Sequence, residues 1–295
     1  MKFTSYQPKI VVVGSSSIDY VLKTNHHPQI NETVLAEDTE IFFGGKGANQ
    51  AIGTSRLGAK VYYIGNIGAD NIGNDIIQSL NTEQVNTQYV HQDPQHPTGK
   101  AYVISAHGKT SIVVAPAANL YISKEMIDQA EEVIATADLV LTQLEIPSDI
   151  VEYLVEKCKK LQVKIGLYAS PARAVCSDIL EYSSFIVAKS KDLADILGNE
   201  NREIALKKLP NKLFIRDDTN STIYFNGEEM KYSRNDPDTI ANKMGMGDAF
   251  TSGFAVAFCH GNSIDDCVKF GNRTSMKVAA NLGSQRGLPF IKDLA

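Results

Sequence analysis

Two glycine-rich stretches, about 200 residues apart, carry residue types that could do chemistry. The first is Gly44-Gly45-Lys46-Gly47-Ala48-Asn49-Gln50. Three glycines in four positions permit positive φ and let a ligand approach the main chain closely. A helix starting there would offer its free N–H groups. Asn49 would add an amide, with two donors and an acceptor, suited to a polar ligand such as a sugar. A strand-to-helix turn with no ligand fits this stretch equally well. The second stretch is Gly245-Met246-Gly247-Asp248-Ala249-Phe250, ahead of an apolar run. N–H groups bared at such a helix start, aided by the helix dipole, bind a phosphoryl group or stabilise its developing charge. Asp248 falls in the first turn, where a carboxylate can take the proton of an attacking hydroxyl or act only as an N-cap. The GxxxxGK[ST] phosphate loop is absent.

The elements that must position these residues alternate short β-branched runs with amphipathic stretches. Residues 10–13 are wholly apolar and end at Gly14, which predicts a buried parallel strand. Further strands are predicted at 61–64, 139–141, 165–168, 185–187 and 213–216. Helices are predicted at 48–57, stopped by Gly58, and at 74–80. Ser123 can N-cap a helix to about residue 135, and Pro147 can open one to about 161. Two more close the chain, near 248–259 and 264–280. Repeated strand–helix units imply an α/β fold, a parallel sheet with helices on both faces. Residues 15–43 and 86–114 break the rhythm. The second contains a hairpin signal, 101–104 and 111–114 around His107-Gly108. Both are read as one small antiparallel sheet inserted as a lid over a single domain, 1–295.

Composition narrows the class. The chain has 295 residues, 43% apolar and 21% charged, which excludes a disordered chain, a fibre or a disulfide scaffold. Its 29 basic and 34 acidic residues give a net charge of −5. No basic surplus suggests a nucleic-acid partner, so an anionic ligand would be held locally. Cys158, Cys176, Cys259 and Cys267 form no CxxC pair, and His260 is the only imidazole near them in sequence. They are read as buried reduced thiols rather than zinc ligands. The polar residues 1–9 lead into a run too short for a signal segment or membrane span, so the expected location is the cytoplasm, with no membrane partner.

Together the two motifs resemble those of the ribokinase-like (PfkB) carbohydrate kinases. Gly44 to Ala51 matches the N-terminal signature and Gly247-Asp248-Ala249-Phe250-Thr251-Ser252-Gly253-Phe254 the C-terminal one. Gly65-Asn66-Ile67-Gly68-Ala69-Asp70 and Gln143-Leu144-Glu145 also fit, so the resemblance spans essentially the whole chain. It implies a three-layer sandwich with a mostly parallel sheet and a small β lid. It further implies transfer of the ATP γ-phosphoryl group, with Mg2+, to a hydroxymethyl group of D-ribose or a related sugar. On this resemblance Ser17, Asp19, Gly44, Gly45, Lys46, Asn49 and Glu145 hold the sugar. Asp248 is the base, and Gly245, Met246 and Gly247 supply the anion-hole backbone. Lys189, Asp192, Arg216, Asp218 and Asn272 fall at nucleotide positions, with Asp192 also near the metal. The family often pairs its lids, which implies a homodimer.

The nucleotide half departs from the family pattern. Asn242 and Lys243 stand where the family has Asp-Thr near an activating monovalent cation, while Asp238-Thr239 lies four residues too early. Either the Lys243 ammonium substitutes for that ion or its side chain points to solvent. Lys189-Ser190-Lys191-Asp192 replaces Asn-x-x-Glu, and residues 216–221 replace Thr-x-Gly-x-x-Gly, with Asp218 at a glycine position. Tyr168 stands where the family favours Asn, and Ser17 where it usually has Asn. The changes leave two rivals: a sugar-binding protein without efficient catalysis, and a kinase for another sugar or a nucleoside.

Overall fold

The computed structural model describes residues 1–198, 201–217, 219, 221–234, 243–279 and 283–294. The apolar run at the start is strand β1 (Lys9–Val13), whose residues 10–13 are fully buried. The chain then leaves for β2 (Ser17–Lys23) and β3 (Asp38–Gly44), turns at Gly45 and enters helix α1 (Lys46–Arg56). There follow β4 (Lys60–Gly68), α2 (Asn71–Thr82), β5 (Val85–Asp93), β6 (Gly99–Ala106) and β7 (Lys109–Ala115). Helices α3 (Lys124–Gln129) and α4 (Glu131–Ala135), strand β8 (Leu139–Gln143) and helix α5 (Ser148–Leu161) come next. Then come β9 (Ile165–Tyr168), α6 (Ser177–Tyr182), β10 (Phe185–Lys189), α7 (Leu193–Leu197) and α8 (Arg202–Lys208). The remaining elements are β11 (Leu213–Arg216), β12 (Thr222–Phe225), β13 (Met230–Ser233), α9 (Met246–Cys259) and α10 (Ile264–Ala279).

Nine strands form the main sheet, in the order β13-β12-β11-β10-β9-β8-β1-β4-β5. From β11 to β5 every pairing is parallel, whereas β12 and β13 add antiparallel. Apolar side chains pack on both faces, as a parallel sheet requires. Leu139, Phe185, Phe214 and the aromatic row of α9 lie in one core, and Val140, Ile165, Ile186 and the inner face of α5 in the other. After β1 the chain builds β4 and β5 on one side, and later β8 to β11 on the other. The order therefore reverses between β1 and β8. Such a reversal opens a crevice at the carboxyl ends of the strands, where ligands of open α/β sheets bind.

A second sheet has the order β3-β2-β6-β7. It departs from the sequence reading in two ways. Its central pair, β2 with β6, is parallel, so the sheet is mixed rather than antiparallel. Residues 85–93 are not part of it but form the parallel edge strand of the main sheet, beside β4. The hairpin itself stands where it was expected. His107 at φ 48° and Gly108 at φ 71° make the two-residue turn that matches strand twist. The Gly65 to Asp70 motif fastens the root of this sheet. Asp70 accepts hydrogen bonds from Gly73 N (2.8 Å), Thr98 N (2.9 Å) and Thr98 Oγ1 (2.7 Å).

Smaller expectations also change. Ser123 does cap a helix, accepting from Met126 N, but Ala130 breaks the segment into α3 and α4. Pro147 is the residue before α5 rather than inside it. Cys158 and Cys267 are buried, but Cys176 is exposed and Cys259 half-buried. Cys176 precedes the short helix α6 and so sits at the surface. Among the described residues no group of three or more His, Cys, Asp or Glu side chains is placed to hold a metal. None of the described helices is long and apolar enough to cross a membrane.

Phe254 of α9 is fully buried and meets Phe185, Phe214, Phe250 and Phe258 at ring-centroid distances of 4.6 to 6.1 Å. Removing this ring leaves a cavity its neighbours cannot fill. We expect Phe254→Ala to lower unfolding stability by about 3–5 kcal/mol in denaturant titration, with an unchanged m-value.

Candidate active site

Two turns converge on the crevice between β1 and β8. The first joins β3 to α1. Gly45 has φ 87°, and a Cβ there would lie 2.4 Å from Ser16 Cα. A Cβ on Gly47 would lie 2.7 Å from the main chain of Gly14. These glycines let α1 start directly against the end of β1. Gly44 makes room for a side chain: a Cβ there would lie 2.3 Å from Asp19 Oδ2. The second turn precedes α9. Gly245, at φ 74°, caps that helix, and a Cβ would meet the backbone of Ser284 at 2.8 Å. Asp248 therefore sits in the first turn of α9, as the sequence predicts.

Asp248 is 3% exposed. Its Oδ2 accepts a hydrogen bond from Asn49 Nδ2 (3.0 Å) and its Oδ1 from Gln50 Nε2 (3.2 Å). Asn49 is oriented in turn by Gln285 Nε2 (3.0 Å) and Ser284 Oγ (3.3 Å), which donate to its Oδ1. Gln50 Oε1 accepts from Gln143 Nε2 at 2.8 Å. This amide chain fixes the carboxylate without neutralising it. Burial lifts the Asp248 carboxyl above the usual range, while Lys46 and the two amides hold it back. The result is a poised carboxylate that can accept a proton. The sequence reading missed Gln50 as an orienting group, although it lies inside the first motif.

Asp19 and Glu145 line the same crevice. Asp19 accepts from Ser17 Oγ at 2.9 Å. Burial, with Glu145 and Asp248 nearby, raises it to about 6. Glu145 Oε2 accepts from Ser15 Oγ and from Lys46 N (3.0 Å), and Oε1 faces Lys46 Nζ at 3.6 Å. Burial alone would lower the Lys46 pKa, but Glu145 and Asp248 raise it above the usual lysine value, so it stays charged. Asn119, which sequence reasoning also missed, pins this corner: its Oδ1 accepts from Ser16 N and its Nδ2 donates to Ser16 O, both at 2.9 Å. No local pattern around it signals that role.

The crevice opens into a cleft of about 790 Å3, roofed by Ala101, Val103, Ile112 and Val114 of the small sheet. Its far wall holds Lys189 and Asp192, at and just beyond the end of β10, together with Arg216 and Lys243. Arg216 is 3% exposed and stacks over the Phe250 ring at 4.3 Å. Burial pulls it down to about 10, so it remains charged at neutral pH. Asn272 does not line the cleft. It stands behind Arg216, accepting from Arg216 Nη1 (3.1 Å) and Thr222 Oγ1 (2.9 Å) and donating to Ser233 Oγ (2.9 Å). Met246 is buried at the start of α9, its carbonyl accepting from Ser275 Oγ at 2.9 Å. Asp218 and Asn242 lie outside the described residues. The arrangement thus joins an acidic pocket, suited to a polyol, to a cationic wall at a helix start, suited to phosphate.

Comparison with known proteins agrees with that reading. The sequence profile of the pfkB family of carbohydrate kinases matches residues 7–291. The ribokinase of Bacillus subtilis is 32% identical over 280 residues, covering 95% of this chain and 96% of that protein. The mouse ribokinase is 29% identical over 301 residues, covering 97% and 93%. Among solved structures, Arabidopsis thaliana ribokinase complexed with ribose and ATP superposes with a TM-score of 0.87, at 27% identity and 98% coverage of both chains. The ribokinase of Thermotoga maritima gives 0.86 at 26% identity, again covering 98% of each chain. The chain belongs to the pfkB family and is an ATP-dependent, ribokinase-like carbohydrate kinase.

Proposed function

We propose that this kinase phosphorylates the hydroxymethyl group of D-ribose, with Asp248 as the base. The observation that carries this reading is the placement of Asp248. It is buried at the start of α9, and its two oxygens are held by Asn49 and Gln50 beside Lys46. The sugar hydroxyls meet Asp19, Asn49 and Glu145. A sugar lacking one of those hydroxyls leaves a buried carboxylate unsatisfied, which discriminates against it. The primary hydroxyl loses its proton to Asp248 as its oxygen attacks the γ-phosphorus. N–H groups at the start of α9, beside Gly245 and Gly247, stabilise the charge on the transferring group. The small sheet excludes water and so suppresses ATP hydrolysis.

Mg2+ would enter with the nucleotide. It binds through substrate phosphates and only one or two carboxylates, so it needs no dedicated cage. Asp192 and Asp217 on the cationic wall fit that demand, and the ion would neutralise charge on the phosphates. Lys243 is exposed but lines the same cleft, and that position favours its ammonium as the stand-in for an activating monovalent cation over a side chain pointing to solvent. Free cysteines and ATP as donor support a cytoplasmic location. Ile41, Tyr102 and Val113 of the small sheet are 44–68% exposed, an apolar face suited to a second copy of the chain.

Ribose-dependent ADP formation should fall at least about a hundredfold in Asp248→Asn, the low end for loss of a general base. Near-normal turnover in that variant would refute the role, and ribose binding without wild-type turnover would mark a sugar-binding module instead. Potassium should change the wild-type rate less than about twofold, and strong activation by it would remove the role given to Lys243. Ribose affinity should depend on Asp19. Its ionised form accepts sugar hydroxyls on both oxygens, whereas protonation turns one oxygen into a donor, and it titrates at about 6 in the free protein. Calorimetry should show affinity falling about tenfold from about pH 7 to pH 5, with the dependence lost in Asp19→Asn. Light scattering should give the mass of a dimer, and a monomer mass would contradict pairing through the small sheet.

A further inference from the structure

Tyr168 ends β9, the strand between the β1–β8 crevice and the cationic wall formed by β10 and β11. The residue is 2% exposed, yet its hydroxyl is not spent on the fold. Among the described residues no hydrogen-bond partner is placed for Oη. The hydroxyl instead points at the start of α9: a Cβ built on Gly247 would lie 2.0 Å from Tyr168 Oη and 2.5 Å from Cζ. Any side chain at 247 would collide with the phenol, so the glycine and the tyrosine fit as a pair. Both line the cleft, together with Asp248 and Gly245. Two cations flank the ring. Lys46 Nζ lies 5.6 Å from its centroid, and Arg216 is near enough to interact electrostatically. A donor on a buried ring, open to the cleft and aimed at a helix start between two cations, is arranged for a negatively charged oxygen.

Resting on the kinase reading above, we propose that Tyr168 is a further catalytic residue, whose hydroxyl donates a hydrogen bond to an equatorial oxygen of the phosphoryl group in transit. The balance of the step is unchanged by it. The sugar O–H gives its proton to Asp248, and the sugar oxygen forms the new O–P bond. The bond from γ-phosphorus to the bridging oxygen breaks, and its electron pair leaves with ADP. Tyr168 keeps its proton throughout and lends only the hydrogen bond. The equatorial oxygens become coplanar in the transition state, and a donor placed for that planar group binds it better than the tetrahedral γ-phosphate of bound ATP. Arg216 acts from behind. It stacks on Phe250 of α9 and donates from Nη2 to Ser275 Oγ (2.9 Å), which itself donates to Met246 O. It thereby braces the turn of helix that Tyr168 faces.

Tyr168→Phe removes the donor and keeps the packed ring. We expect kcat to fall on the order of a hundredfold, as for loss of one donor to a developing oxyanion. KM for ribose and for ATP should stay within about threefold. Affinity for ADP with fluoroaluminate and ribose, a mimic of the planar phosphoryl group, should drop by about the same factor as kcat, and affinity for ADP alone should not change. A thermal melt matching wild type checks the fold. A variant with wild-type kcat and wild-type affinity for the fluoroaluminate complex would overturn the inference and leave the kinase reading intact. A faster variant would also overturn it, by making Tyr168 an obstruction. A wild-type protein that forms no ADP with ribose would overturn the proposed function, and this inference with it.

Discussion

Three carboxylates, Asp19, Glu145 and Asp248, share one crevice with the Lys46 ammonium, and the acceptor end of the site is built around keeping that negative charge indoors. Burying unpaired charge is expensive, and proteins meet the cost with partners or with a shifted pKa. Both responses occur here. Glu145 takes the direct ion pair and a backbone N–H of Lys46. Asp248 takes two amides that cannot give it a proton. Asp19, left with one hydroxyl donor, moves to about 6. On the proposed function a polyol would complete what the protein leaves open, because its hydroxyls are the donors these carboxylates lack.

The sheet sets the second end of the cleft at a fixed distance from the first. β10 and β11 lie three and four strands from β1, and neighbouring strands are about 4.8 Å apart. Lys189 and Arg216 therefore stand well away from Asp19, with Tyr168 on the strand between. Asp19, Glu145 and Asp248 stand at one end and Lys189, Arg216 and Lys243 at the other, and on the proposed function that order runs from sugar through the transferring group to the donor phosphates. The glycines at 45 and 245 make this possible by letting two helices begin where the strands end. A side chain at either would strike backbone.

Much of this was legible in the sequence because the motifs are local. The stretches 44–50 and 245–250 each hold a turn, a helix start and a polar residue in register, and both keep their geometry in the fold. The buried strands were legible because parallel strands covered on both faces read as continuous apolar runs. What escaped depends on tertiary contact. Whether β2 pairs β6 parallel or antiparallel is invisible to a period-two pattern. Strand β5 looked like part of the inserted segment because its half-exposed sequence resembles an edge strand of either sheet. Asn272 matched a nucleotide position, but the arginine at 216 drew its amide to the rear of the wall. Tyr168 was visible as a departure from the family, while its contact with Gly247 joins residues 79 positions apart.

The proposed function requires the cleft to align a sugar hydroxyl with Asp248 and the donor phosphates with the start of α9. A crystal structure with ribose and a non-hydrolysable ATP analogue tests it most directly. The primary hydroxyl should lie within about 3 Å of an Asp248 oxygen, with the γ-phosphate between that hydroxyl and the N–H groups beside Gly247. A sugar bound with a different hydroxyl toward Asp248, or a triphosphate held away from α9, would contradict it.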